Sequence, residues 1–209
     1  IRMGKIYTAL GLMSGTSMDG VDASIISSDG DREYSIKIDK YFEYTDKLRQ
    51  NVIKIRDKVL FIDDLKTHFD EIKSLEKEIT LFHAKAVNDV HHSVKRSKIP
   101  RPEIIGFHGQ TIFHNPKEKL SVQLGDGKLL SQLTKKTVVY DFRSNDLKNG
   151  GEGAPLAPIF HQMLERKFNI KPVSFFNIGG ILNRTTIGNN GKLSAKDVGP
   201  GMCLIDKWI

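Results

Sequence analysis

The chain has 209 residues, a net charge of +7 and 39% hydrophobic residues, a composition typical of a globular protein with an ample core. No apolar run approaches the roughly 20 residues that span a bilayer, so we expect no membrane partner. The basic residues alternate with acidic ones and accompany no nucleic-acid-binding motif, so we expect no nucleic-acid partner. The single cysteine, Cys203, excludes an internal disulfide and favours a reducing compartment, which we expect to be the cytoplasm.

The first predicted elements are two strands joined by a short polar turn. Residues 6–13 are almost continuously apolar, as in a strand buried on both faces, and residues 21–26 show the alternation of a second strand. Glycines let such a turn bend tightly, and successive backbone N–H groups in it can bind an anion. The segment is therefore either a phosphate-binding turn, in which Asp19 holds Mg²⁺, or an ordinary polar hairpin turn.

Two predicted helices follow a third strand at residues 34–44. Thr45 or Asp46 caps the first helix, and a longer helix carries an apolar stripe from Leu65 to Val90. Several histidines lie on or beside these helices: His68, His83, His91 and His92. Adjacent residues cannot share one helix face, so we interpret these histidines as surface residues rather than metal ligands.

The rest of the chain alternates between predicted strands and helices. We expect strands at 104–107, 122–124, 137–142 and 173–177, a long polar loop at 143–153, a hairpin turn at 189–191, and helices ending near Leu133, opening at 154–158 and opening at 199–201. This order predicts an α/β fold with a mixed sheet. Polar, glycine-rich segments recur at the strand ends, where α/β proteins place their ligand sites.

Two side chains at these strand ends are candidates for chemistry. Asp146 follows a predicted buried strand and can abstract a proton from a hydroxyl group or from water, although a loop aspartate that caps a turn is the simpler explanation of these residues alone. His108 either positions a substrate hydroxyl or satisfies a carbonyl at the end of its strand. The chain has neither the G-x-x-x-x-G-K-[ST] motif nor a G-x-G-x-x-G motif after a strand, and residues 15–19 lack the second glycine of a hydrolase nucleophile elbow.

Six segments, in the same order along the chain, resemble those of the anhydro-N-acetylmuramic acid kinase family. They are residues 11–22, 107–111, 123–126, 141–155, 177–181 and 197–201. The resemblance implies an actin-like ATPase (ribonuclease-H-like) domain at residues 1–171, with a mixed five-stranded sheet and flanking helices. It also implies that a second, similar domain begins at residues 172–209.

The resemblance also implies an activity. Water opens the 1,6-anhydro ring of anhydro-N-acetylmuramic acid, and the γ-phosphoryl group of ATP is transferred to O6, which gives N-acetylmuramic acid 6-phosphate in peptidoglycan recycling. Asp146 is then the general base, Asp19 a Mg²⁺ ligand, and His108, Gln110 and Thr111 lie on the sugar side. The turn that binds the phosphates of ATP comprises Gly15, Thr16, Ser17, Met18, Asp19, Gly20, Val21 and Asp22.

The chain also departs from the family pattern. Glu152 replaces the usual glutamine, while Val198 and Met202 replace a threonine and an asparagine. Full-length members are considerably longer, so we expect the adenosine-contacting segments to lie outside these 209 residues. The expected partners are a small amino sugar, a second copy of the chain in a homodimer, or a separate C-terminal half. The alternative is a non-catalytic remnant, or one half of a split kinase, that binds only sugar or phosphate.

Overall fold

In the computed structural model, the described residues are 5–95, 97–205 and 208. The strands in this part of the chain are Tyr7–Ser14 (β1), Gly20–Ser28 (β2), Tyr34–Glu43 (β3), Ile104–Asn115 (β4), Leu120–Leu124 (β5), Thr137–Tyr140 (β6), Val173–Ile178 (β7), Ile181–Ile187 (β8) and Leu193–Pro200 (β9). The α-helices are Asp46–Lys58 (α1), Ile62–Thr67 (α2), Phe69–Lys95 (α3), Gly127–Thr134 (α4), Ser144–Lys148 (α5) and Pro158–Phe168 (α6). None of these helices is long and apolar enough to cross a membrane.

The chain divides into two compact units. The larger unit comprises Tyr7–Ser27 and Ser35–Gly153, and the smaller one comprises the described residues of Ile1–Ile6, Ser28–Tyr34 and Ala154–Ile209. The predicted domain boundary between residues 171 and 172 stays a prediction.

The larger unit contains a mixed sheet in the order β3-β2-β1-β4-β5, with β6 also paired to β4. Residues Ile104–Phe107 of β4 run parallel to both β1 and β6, whereas the stretch from Gln110 to Asn115 runs antiparallel to β5. Because β4 is 12 residues long, β6 and β5 follow one another along it. The predicted α/β fold with a mixed sheet is confirmed, with six strands among the described residues rather than five.

The prediction that strand β1 is buried on both faces is wrong. Leu10 and Leu12 are buried in the core, whereas Tyr7 and Met13 are 45% and 43% exposed. Successive side chains of a strand point to opposite faces, and only the face of Leu10 and Leu12 joins the hydrophobic core.

The helices of the larger unit follow the predicted signals with one correction. Thr45 caps α1, since its Oγ1 accepts a hydrogen bond from the Leu48 N–H (3.3 Å). The apolar stripe predicted as one long helix is two helices, because His68 adopts φ −105° and ψ +20° and separates α2 from α3. Helix α3 packs against β4 and β5, and its buried face supplies much of the core.

The smaller unit contains the antiparallel sheet β7-β8-β9, against which α6 packs. The predicted hairpin turn between β8 and β9 is confirmed, with the Gly188 N–H donating to the Lys192 carbonyl (3.0 Å). The predicted final helix is wrong: β9 continues to Pro200, and the Met202 N–H donates to the Gly179 carbonyl (2.8 Å). Residues 202–204 then form a short 3-10 helix, and residues 206, 207 and 209 of the predicted helix lie outside the described residues.

Candidate active site

The glycine-rich turn joins the end of β1 to the start of β2. The Met18 N–H donates to the Gly15 carbonyl (3.2 Å), and Met18 adopts the left-handed φ of +56°. Thr16 and Ser17 are exposed, whereas the Met18 side chain is only 3% exposed and anchors the turn in the core. A turn of this kind can present backbone N–H groups to an anion.

A buried hydrogen-bonded chain lies at the base of this turn. Ser14 Oγ lies 3.1 Å from His83 Nε2 and 2.9 Å from the Tyr44 hydroxyl. His83 Nδ1 donates to the Ile79 carbonyl (2.8 Å), so Nε2 accepts from Ser14, which in turn accepts from Tyr44. Burial lowers the pKa of His83 to about 4, which keeps the ring neutral, and the Ile79 carbonyl fixes this tautomer.

His83 corrects an interpretation made from the sequence, because it is fully buried rather than a surface residue. The signal was present in the sequence: His83 follows Ile79 by four residues on the apolar stripe of α3. Its ring also packs edge-on against Phe107, at 4.9 Å between ring centroids.

Gln110 ties β4 to the same turn. Its side chain is fully buried, and its Nε2 donates to the Gly15 carbonyl (2.9 Å). Its Oε1 is buried without a hydrogen-bond partner among the described residues. Gln110 thus stabilises the turn through the Gly15 carbonyl. Its predicted contact with the sugar stays a prediction.

Carboxylates lie in and beside the turn. Asp19 Oδ1 accepts from the Ser17 hydroxyl (2.5 Å). Burial, with Asp39 and Asp19 nearby, raises the pKa of Asp22. Carboxylate oxygens are possible Mg²⁺ ligands, but no group of three or more His, Cys, Asp or Glu side chains among the described residues is arranged to hold a metal ion.

Asp146 lies on α5, within the stretch predicted as a continuous loop. That prediction is wrong because the Asp141 carboxylate accepts the Ser144 hydroxyl (2.6 Å) and N–H (3.3 Å) and so starts a short helix. The Asp146 side chain is exposed, and its Oδ2 accepts from the Gly153 N–H (2.8 Å). A Cβ at position 151 would overlap this carboxylate, so glycine is required there for Asp146 to keep its position.

Arg143 connects His108 to the segment that holds Asp146. The Arg143 guanidinium donates to His108 Nε2 through Nε (3.1 Å) and Nη2 (2.8 Å), and to the Gly153 carbonyl through Nη1. His108 Nδ1 donates to the Gly109 carbonyl (2.7 Å), so Nε2 is the acceptor. Burial and the Arg143 charge lower the pKa of His108, in agreement with a neutral ring.

His108 also lines a cleft at the point along β4 where pairing with β6 ends and pairing with β5 begins. The predicted end of a strand at residue 107 is wrong, because β4 continues through Gly109. Glycine is needed at this position, since its φ is +73° and a Cβ there would overlap the Leu124 carbonyl. The cleft has a volume of ≈ 260 Å³ and is lined by Phe107, His108, Ser121, Val122, Gln123, Gly125, Tyr140, Asp141 and Ser144.

The structure brings the predicted site residues together in three groups. Gln110 contacts the turn, and His108 reaches Asp146 through Arg143 and Gly153. Thr111 Oγ1 accepts from Gln123 Nε2 (3.2 Å), which lines the cleft. Among the described residues, neither Asp146 nor the turn belongs to the lining of the cleft.

The chain matches known proteins along nearly its whole length. The family model described as anhydro-N-acetylmuramic acid kinase matches residues 7–209. Curated relatives with that name come from Pelagibacter ubique (55% identical), Agrobacterium fabrum (43%) and Brucella suis (41%), each aligned to 99% of this chain. The chain spans about half the length of these relatives, 55% of the first and 56% of the other two.

Proposed function

Because the chain belongs to the anhydro-N-acetylmuramic acid kinase family, we propose that it forms part of an ATP-dependent kinase acting on anhydro-N-acetylmuramic acid. In this reaction water adds to C1 and the bond from C1 to O6 breaks. O6 then forms a bond to the γ-phosphorus of ATP while ADP leaves. The products are ADP and N-acetylmuramic acid 6-phosphate, and the reaction serves peptidoglycan recycling in the cytoplasm.

The observation that carries this proposal is the fixed carboxylate of Asp146. The Gly153 N–H binds one of its oxygens, while Arg143 holds the same glycine through its carbonyl. The side chain itself is exposed, so its carboxylate is accessible to a water molecule. Asp146 then takes the proton from the water that attacks C1.

The glycine-rich turn is proposed to bind the phosphates of ATP, with Asp19 holding Mg²⁺. When bound, this ion neutralises charge on the transferring phosphoryl group. The turn orients the phosphates, and the buried chain of Ser14, His83 and Tyr44 keeps the turn in place. Phosphoryl transfer depends mainly on such positioning and charge neutralisation, so a rigid turn suits the reaction. His108, Gln110 and Thr111 are proposed to define the sugar side.

The test uses a chimera in which these 209 residues are joined to the remaining part of the Pelagibacter ubique relative, which is 55% identical over the shared region. We expect the chimera to phosphorylate anhydro-N-acetylmuramic acid with ATP. Asp146→Asn should lower kcat by about 10²–10⁴ while substrate binding is largely retained. The control is Asp70→Asn, an exposed position at the start of α3. Near-normal turnover by Asp146→Asn would contradict the assignment of Asp146 as the general base.

A second candidate function is binding of sugar or phosphate without turnover, or pairing with a second polypeptide that completes the kinase. The exposed apolar side chains of the smaller unit favour it, with Phe176 60% and Ile178 63% exposed. The 209-residue chain is assayed alone and with the remaining part of the relative added as a separate polypeptide. We expect no useful turnover by the chain alone, and robust activity of the chain alone would contradict this candidate.

A further inference from the structure

A second cavity lies in the larger unit, at the opposite end of the parallel strands from the candidate active site. It has a volume of ≈ 230 Å³ and is lined by Asn88, His91, His92, Val94, Lys95, Arg101 and Lys136. Arg101 and Lys136 precede the first residues of β4 and β6, whereas His108 and Asp141 follow the parallel stretches of these strands. The two cavities therefore share no lining residue and lie at different ends of the sheet.

The lining is rich in cationic side chains. Lys95, Arg101 and Lys136 carry positive charges, and no carboxylate is found among the described residues that line the cavity. Lys136 Nζ donates to the Pro102 carbonyl (3.3 Å), which fixes this ammonium group at the wall. Like charges gathered in one concave site repel each other, and a bound anion relieves that repulsion.

His91 supplies the second, independent observation. Its Nε2 is buried and has no hydrogen-bond partner among the described residues. Burial lowers the pKa of His91, and the positive charges of Lys136, Arg101 and His92 lower it further. A buried polar nitrogen without a partner destabilises a protein, and rotation of the ring towards the cavity would bring this nitrogen to a ligand oxygen.

We propose that this cavity binds a phosphate group, either as the free anion or as the phosphoryl end of a small metabolite. A dianion with several acceptor oxygens matches two ammonium groups and a guanidinium better than a monoanion does. The volume leaves space beside the phosphate for a small organic group. This site is separate from the turn proposed to bind ATP.

The test is isothermal titration of the 209-residue chain with inorganic phosphate and, separately, with glucose 6-phosphate as a phosphomonoester probe. Arg101→Gln and Lys136→Gln should each weaken binding by about tenfold. Lys77→Gln removes an exposed charge from the same helix α3 at a distance and should leave binding unchanged. Arg101 is exposed, so its replacement should not disturb folding.

Nuclear magnetic resonance of the His91 ring distinguishes this cavity from the glycine-rich turn. Phosphate at the cavity shifts the ring signals of His91 in the parent chain and not in Arg101→Gln. Binding of either probe with these effects supports the proposal, and the preferred probe identifies the free anion or the ester as the ligand. The proposal is overturned if neither probe binds, or if binding is unaffected by both substitutions while the His91 signals stay in place.

Discussion

The two compact units differ in how they bury apolar side chains. The hydrophobic core cluster, from Leu10 to Leu130, lies entirely in the larger unit. In the smaller unit Met163 and Ile187 are buried, while Phe176 and Ile178 of β7 remain largely exposed. The larger unit therefore provides a packed scaffold for the turn and for Asp146, whereas the smaller unit exposes a sheet surface typical of an interaction site. The effects of substitutions at chosen positions in the two units should therefore differ in size.

The largest pH-dependent effect concerns His83, which is buried in the larger unit. Its folded-state pKa of about 4 lies below its ordinary value of 6.5, so the folded chain keeps the ring neutral while the unfolded chain protonates it. The stabilising contribution of the neutral ring is therefore complete above the unfolded pKa and is lost as the pH falls towards 4. We expect the free energy of unfolding to drop by about 3 kcal/mol through this one group across that window. Urea unfolding at several pH values measures it.

Carboxylates also titrate at the acid end of this range, so the comparison is made between variants. His83→Gln should lack this part of the pH dependence, whereas His92→Gln, at an exposed position, should keep it. An identical dependence in His83→Gln and the parent chain would show that His83 titrates normally.

The next effect tests how precisely the larger unit holds Asp146. Gly151→Ala should lower kcat of the chimera by about 10², because the new Cβ overlaps the Asp146 carboxylate and displaces it. Gly150 provides the matched control, since beyond its chain neighbours no described residue has an atom within 4 Å of a Cβ there, although its φ is +90°. Gly150→Ala should cost stability and leave kcat nearly intact. Equal kcat losses in the two variants would mean that loop strain, not the carboxylate position, controls the rate.

Asp19 should give a smaller effect. Asp19→Ala removes one carboxylate from the turn but keeps the backbone hydrogen bond from the Tyr44 N–H to the residue 19 carbonyl (2.8 Å). We expect the affinity of the chimera for ATP with Mg²⁺ to fall about tenfold. Calorimetry with and without Mg²⁺ measures it, and Asp70→Ala serves as the control. Unchanged affinity in the presence of Mg²⁺ would remove Asp19 from the metal site.

The smallest effect is expected in the smaller unit. Ile178→Thr should change the free energy of unfolding by less than about 0.5 kcal/mol, because this side chain is largely exposed. The same substitution should reduce self-association, which light scattering detects. Phe107→Ala, in the core of the larger unit, should instead destabilise by about 3–5 kcal/mol. A large loss of stability in Ile178→Thr would show that β7 packs against a partner in solution.

Much of the fold follows from local patterns in the sequence. The strands on each side of the turn, the Thr45 cap and the hairpin turn near Gly191 were all predicted, because alternation, capping side chains and glycine act over a few residues. The helix predicted to open at residues 199–201 failed because pairing with β8 keeps this segment extended as far as Pro200. Sequence neighbours carry no information about that partner strand.

The sequence by itself determined where the glycine-rich turn and Asp146 lie, since both depend on residue types that are adjacent in the chain. Only the tertiary structure decided what holds them. Arg143 reaches His108 across 35 positions, and His83 reaches Ser14 across 69. The first contact joins the start of α5 to β4, and the second joins α3 to the end of β1. Each remote side chain looks ordinary among its own neighbours. Burial then supplies what the sequence could not, a neutral His83, because a charged ring cannot be solvated in the core.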